Sequence, residues 1–245
     1  MLVSQLVGMV LALGLGVLRG ESAPLPVDLV WSVLGGLSGG IGITSLYHGL
    51  AVGRMGVVAP VTGVLAALIP VGAGIVLEGV PSTLTAIGIG LAIVAVVLVS
   101  RVHDPSGGPS GLRFAILAGV AIGAFSVFVA QISDGHAFGP LALIRLVEAV
   151  LIGVVVLVTG AAWRPERRFV PAMTGVGVLD MTGNAAFILA VQGGSLAVAA
   201  VLSSLYPVMT VILAALFLRE RVTATHAIGI ALAAGAIVCI AAGTA

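Results

Sequence analysis

Nine apolar runs, each 17 to 24 residues long and joined by short loops, constrain this chain more than any other feature of it: Leu2–Leu18, Leu29–Val52, Met55–Leu77, Ser82–Val99, Phe114–Ile132, Leu141–Thr159, Phe169–Val191, Leu196–Leu218 and His226–Ala242. An α-helix rises about 1.5 Å per residue, so roughly 17 to 25 apolar residues cross the hydrocarbon core of a bilayer. Hydrophobic residues make up 60% of the chain, charged residues only 8%, and the mean hydropathy is +1.30. A soluble domain has neither the need for so much apolar surface nor the means to stay dispersed with so few charges. The expected fold is an all-α, polytopic membrane bundle of nine transmembrane helices. The expected partners are the lipid bilayer and a small-molecule solute, with no nucleic acid.

The first run is read as a spanning helix and not as a cleaved signal, because no basic residue precedes it and no small-x-small site follows it. Cys239 is the single cysteine and lies within the last run, which excludes an internal disulfide and a cysteine metal cluster. No HExxH and no phosphate-binding Gly-Lys-Ser/Thr is present, so no cofactor, metal or catalytic residue is expected. The longest loop, Arg101 to Arg113, is rich in Gly, Pro and Ser and reads as a hinge.

Internal repetition sets the architecture. "AIGIGLA" at Ala86–Ala92 returns as "AIGIALA" at Ala227–Ala233, and "QLVGMVL" from Gln5 falls on "RLVEAVL" from Arg145. "LAV" at Leu50–Val52 falls on Leu189–Val191, and Glu78 falls near Glu220. Four blocks agree on offsets of 139 to 142, and one of them carries an acidic residue. Apolar helices resemble one another by chance, yet chance does not favour one offset. The shift corresponds to five helices, an odd number, so each helix and its copy cross the membrane in opposite directions. That is an inverted repeat, a design that gives secondary transporters two pseudo-symmetric conformations. The expected division is 1–100 as a first repeat of four helices, 101–113 as linker and 114–245 as a second repeat of five. The opening helix of the first copy would fall upstream of Met1.

Arginines near helix ends mark the cytoplasmic side. Arg54, Arg101, Arg113, Arg164, Arg167, Arg168, Arg219 and Arg221 lie in or beside the loops after helices two, four, six and eight, whereas the other loops hold Arg19 alone. This bias places the N terminus in the cytoplasm and the C terminus outside.

With these residues in view, the chain resembles the drug/metabolite transporter superfamily, and within it the EamA-type members. The resemblance is carried by "NAAFILAVQGGSLAVAAVLSSLYPVMTVILAALFLRERVTATHAIGIALAAGAIVCI", Asn184 to Ile240, and more loosely by Tyr47 to Ala92. It implies ten helices in two inverted five-helix units and transport of small metabolites, often outward, across the cytoplasmic membrane. Members usually carry the additional first helix, and well-known ones have both termini in the cytoplasm, a point on which the arginine count here differs.

Charges within hydrocarbon cost about 2.5 to 3.5 kcal/mol on insertion scales, so each needs a reason. Arg145 and Glu148 stand i, i+3 and Asp180 and Asn184 stand i, i+4, so each pair shares a helix face. Arg145 pairing with Glu148 as a structural staple is an even competitor to a functional role. In that case Asp180 is left as the unpaired carboxyl available for proton exchange. The counterparts in the first repeat are Gln5, Gly8 and approximately Gly40, so the charges exist in one copy only. Further candidates for a substrate or proton path are Thr44, Tyr47, Ser126, Gln131 and Tyr206, each with a competing role in helix packing or at the interface. Pro60, Pro70 and Pro207 are candidate hinges, because proline removes a helical hydrogen bond. The reading is a secondary transporter that exports a small organic metabolite, an amino acid or drug-like compound, by alternating access, with proton coupling and a homodimer left open. Its rivals are a non-transporting membrane subunit and, more distantly, an intramembrane hydrolase using Ser38 of "GLSG", which would need a base within reach.

Overall fold

A computed structural model of the chain describes residues 1–53, 55–99, 111–160, 166–205, 208, 209, 212, 216 and 224–243. Among the described residues every regular element is helical. In chain order these are α1 (Leu2–Arg19), α2 (Pro26–Val52), α3 (Met55–Glu78), α4 (Thr83–Val99), α5 (Leu112–Val129), α6 (Phe138–Thr159), a 3₁₀ turn (Arg167–Phe169), α7 (Val170–Gln192), α8 (Leu196–Ser204) and α9 (Ala224–Gly243). Six of them, α1, α2, α3, α5, α6 and the span containing α7, are long and apolar enough to cross a membrane. The eighth expected span ran to Leu218, and most residues beyond Leu205 in it lie outside those described. Helix α5 begins at Leu112, so the last two residues of the expected linker are helical, while Arg101 to Ser110 lie outside the described residues.

Local chemistry sets the helix ends. Gly20 (φ 65°) closes α1 and Gly160 (φ 64°) closes α6 in the left-handed conformation that glycine adopts without strain. Pro26 opens α2 at a position where a missing N–H leaves no bond unmade. Two helix starts are capped from a distance. Glu21 accepts from the N–H groups of Ala137, Phe138 and Gly139 at 3.1, 3.0 and 2.9 Å, at the start of α6. Glu78 accepts from Leu196 N at 2.8 Å and from Ser195 Oγ at 2.5 Å, at the start of α8. In each case a carboxylate meets the positive end of a helix dipole and its orphan donors. These bonds place the α1–α2 loop beside the α5–α6 loop, and the α3–α4 loop beside the α7–α8 loop.

The chain forms two compact units that interleave its halves: Met1–Thr44 with Ala124–Gly193, and Ser45–Gly123 with Gly194–Ala245. In the first unit α1 packs on α6 and α7. Gly8 lies against Arg145 and Gly16 against Phe138, so advance along α1 is retreat along α6, and the two are antiparallel. In the second unit α4 packs on α9, and α3 on α8. Gly88 lies against Ala236, Cys239 and Ile240, and Gly243 against Ser82 and Thr85, so α4 and α9 are antiparallel too. Ala92 and Ala233, counterparts in the repeated phrase, are both buried in that unit's core with Val96, Ala197 and Val201. Gly74 beside Ala197, and Glu78 beside Ser195 and Leu196, give the same antiparallel sense to α3 and α8. Three helices thus pack on their own sequence counterparts, which explains why the compact units do not follow the halves of the chain.

Glycines permit the close approaches on which membrane helices depend, since lipid gives no hydrophobic drive between helices. A Cβ on Gly36 of α2 would lie 2.6 Å from Val147 Cβ and 2.9 Å from the Ile144 carbonyl oxygen of α6. A Cβ on Gly177 of α7 would lie 2.6 Å from the Ser4 carbonyl oxygen and 3.1 Å from Val7 Cβ of α1. Ser4 and Ile144, Val7 and Val147, and Gly36 and Gly177 are separated by 140 or 141 positions, so one glycine seat is made twice. Large apolar side chains such as Val17, Leu18, Leu157, Val158 and Leu179 point outward, as expected where the surrounding solvent is lipid.

Candidate functional site

The first unit carries a polar cluster where α1 crosses its counterpart α6. Arg145 Nη1 donates to Gln5 Oε1 at 2.8 Å and to Glu148 Oε2 at 3.0 Å, and Asp180 Oδ2 of α7 stands 2.7 Å from the same nitrogen. Asn184 Nδ2 donates to Asp180 Oδ1 at 3.2 Å and to the Asp180 carbonyl at 2.9 Å. Arg145, Glu148 and Gln5 are buried, whereas the Asp180 side chain is 48% exposed. Gln5 and Arg145 are counterparts separated by 140 residues, and they bond to each other.

Space explains why charges stand in one copy only. Gly8, the counterpart of Glu148, lets α1 approach the Arg145 guanidinium, and a Cβ there would lie 3.3 Å from Nε. Gly39, next to the counterpart of Asp180, faces Glu148 Oε1, and any Cβ would collide with that oxygen. The Arg145 and Glu148 side chains fit at the crossing because Gly8 and Gly39, which face them, have no side chain.

Electrostatically the cluster is uneven. Two carboxylates face one guanidinium, so with all three ionised it carries one excess negative charge. Three acceptors crowd one nitrogen that has two hydrogens, while Arg145 Nε and Nη2 are buried without a hydrogen-bond partner among the described residues. The expectation of an unpaired Asp180 is corrected here: Asp180 reaches across from α7 and pairs with Arg145 at a shorter distance than Glu148 does. Sequence spacing shows only same-helix neighbours, and this contact comes from a different helix.

The other expected residues are dispersed. Thr44 Oγ1 donates back to the Gly40 carbonyl at 2.7 Å on its own helix. Tyr47, in the second unit, is mostly exposed. Ser126 is partly buried in α5, and Gln131 occupies the turn that follows it, its N–H bonding to the Phe128 carbonyl. Pro70 is fully buried within α3, and Pro60 lies in the same helix, with its side chain outside the described residues. Tyr206 and Pro207 lie outside the described residues. Ser38 Oγ donates to the Gly35 carbonyl at 3.0 Å, a bond within its own helix. Gln5 enters the cluster although sequence reasoning named it only as a counterpart; the signal that could have placed it there was the 140-residue offset itself. No group of three or more His, Cys, Asp or Glu residues among those described could hold a metal ion.

Comparison with known proteins bears on the fold and the family. A solved crystal structure superposes with a TM-score of 0.79 over 99% of this chain and 86% of its own, at 18% sequence identity, a likeness that speaks to fold alone. A search of curated proteins gives no match. The model of the EamA-like transporter family matches residues 109–242, more than half of the chain. With its membrane-length helices, helix-on-counterpart packing and this family match, the chain belongs to the EamA-like transporter family, multi-pass membrane transporters of the drug/metabolite superfamily.

Proposed function

We propose that the chain is a secondary transporter that exports a small organic metabolite, an amino acid or drug-like compound, across the cytoplasmic membrane. It works by alternating access between two inverted repeats, 1–100 and 114–245, with the N terminus in the cytoplasm and the C terminus outside. The observation that carries this reading is the Gln5–Arg145 bond between counterpart residues on antiparallel helices. It supports an axis relating two inverted copies, the feature from which two exchangeable conformations follow.

Proton coupling is read onto the same cluster. Charged groups inside a membrane mark ion paths and relays, and here two carboxylates compete for one guanidinium. A proton on Asp180, the member that is not enclosed, neutralises the excess charge and releases Arg145 to Glu148. Loss of that proton restores the three-way contact. Asn184 holds the Asp180 carboxyl on one face of α7 in either state.

Metabolite profiles of medium from overexpressing and deletion strains identify the solute. Purified protein reconstituted in vesicles then tests the coupling. Asp180→Asn, which keeps the Asn184 contact and removes the titratable group, should abolish flux driven by a pH gradient. Unchanged flux would remove proton coupling from the account.

A further inference from the structure

The loops on the arginine-poor side of the first unit contain a second polar assembly. His136, in the α5–α6 loop, has Nε2 3.0 Å from Ser22 Oγ of the α1–α2 loop. Its Nδ1 is buried, has no hydrogen-bond partner among the described residues and stands 3.7 Å from Asp28 Oδ2 in the first turn of α2. We propose that His136 is a proton-binding site, and that its protonation draws the α5–α6 loop onto Asp28 and locks the α1–α2 loop against it.

The surroundings argue for the doubly protonated ring. A neutral imidazole has one N–H and one lone pair, so it can serve one of these two neighbours as donor and not both. If Nε2 carries the hydrogen, the Nδ1 lone pair faces a carboxylate. If Nδ1 carries it, Nε2 accepts from the Ser22 hydroxyl and Nδ1–H faces Asp28 across 3.7 Å, beyond bonding distance, with no charge on the ring to draw the carboxylate in. Imidazolium donates from both nitrogens, to Asp28 and to Ser22 Oγ, and needs only a few tenths of an ångström of loop movement to do so.

The remaining polar groups are committed elsewhere, which leaves Asp28 as the charge that responds. Asp28 Oδ1 accepts from Ser133 N at 2.9 Å and Oδ2 from Leu25 N at 3.0 Å, so the carboxylate already ties both loops together. Glu21, from the α1–α2 loop, is occupied by the N–H groups at the start of α6. Arg19, at the end of α1, lies over the Phe138 ring at 5.6 Å. From α7, the neutral Gln192 donates to the carbonyls of Ser133 and His136 at 3.1 and 2.9 Å, fixing the backbone that presents the ring. Asp134, beside His136 in the same loop, is exposed to solvent. Imidazole is the side chain that ordinarily changes charge between about pH 5 and 8, so the strap tightens in acid and loosens in base. It reads the pH of the compartment that this face meets, and it does not depend on the transport reading.

The test is hydrogen exchange on the full-length protein in detergent, followed at the amides of Ser133–Gly139 and Glu21–Leu25 and corrected for the intrinsic pH dependence of exchange. Between about pH 8 and pH 5.5 protection should rise about tenfold, the scale of one charge-assisted hydrogen bond, and His136→Gln should abolish the rise. Equal protection at both pH values, or a rise that survives in His136→Gln, overturns the proposal. Should His136→Gln fail to fold, histidine nitrogen resonances of the wild type decide: a ring that titrates together with the Ser133–Gly139 amides supports the site, and a ring fixed in one tautomer across the range overturns it.

Discussion

Gly177→Ala tests the packing on which the first unit depends. The added methyl group would lie 2.6 Å from the Ser4 carbonyl oxygen, 3.1 Å from Ser4 Cα and 3.1 Å from Val7 Cβ. The first two are backbone atoms of α1, so no rotamer change relieves the clash, and the helices must separate by roughly half an ångström. Overfilling a packed interface costs about 1–3 kcal/mol, against a helix-propensity gain of up to about 1 kcal/mol for alanine over glycine. A net loss of about 1–2 kcal/mol follows. Gly183, on the same helix, has nothing within 4 Å of its would-be Cβ, so Gly183→Ala should gain up to about 1 kcal/mol. The two variants should differ in thermal midpoint in detergent by roughly 2–12 °C, at about 2–4 °C per kcal/mol for a chain of this size. Gly36→Ala, at the counterpart seat, should match Gly177→Ala and not Gly183→Ala. Equal midpoints for Gly177→Ala and Gly183→Ala would refute the close approach of α7 to α1.

Other perturbations have distinct signatures. Arg145→Met leaves two carboxylates without a cation and should cost about 3–5 kcal/mol, read as lost expression or a collapsed midpoint; Glu148→Gln in the same background should recover part of it. Asp180→Asn, at the least enclosed position of the cluster, should cost no more than about 1 kcal/mol in stability while removing the pH response of transport. Glu78→Ala strips the cap from α8 and should cost about 0.5–2 kcal/mol, with faster amide exchange at Leu196 as the local readout.

The legible part of this structure was whatever the sequence repeats or carries within one helix. Except for the eighth, most of whose second half lies outside the described residues, the apolar runs match the helices to within a few residues, and the Arg145–Glu148 and Asp180–Asn184 pairs form as their spacing implied. The 140-residue offset placed Gln5 opposite Arg145, although nothing in the alphabet of apolar helices said that the two would touch. Contacts between helices were hidden, because they depend on which faces meet. Asp180 reaching Arg145 is one case, and the long-range caps made by Glu21 and Glu78 are others. The interleaved units also follow from tertiary packing: α1, α3 and α4 associate with α6, α8 and α9, their counterparts in the other half, more closely than with most sequence neighbours. Glycine seats were hidden too, with Gly8 and Gly39 against the charges and Gly36 and Gly177 in a duplicated contact.

The proposed inverted repeat underlies the transport reading, and membrane sidedness tests it most directly. With Cys239 replaced by alanine, single cysteines at Val80, beside Glu78, and at Thr223, beside Glu220, can be labelled in intact cells with a thiol reagent that does not cross the membrane. The account predicts that Val80→Cys is labelled from outside and that Thr223→Cys is labelled only after the membrane is opened. Labelling of both from the same side would contradict it.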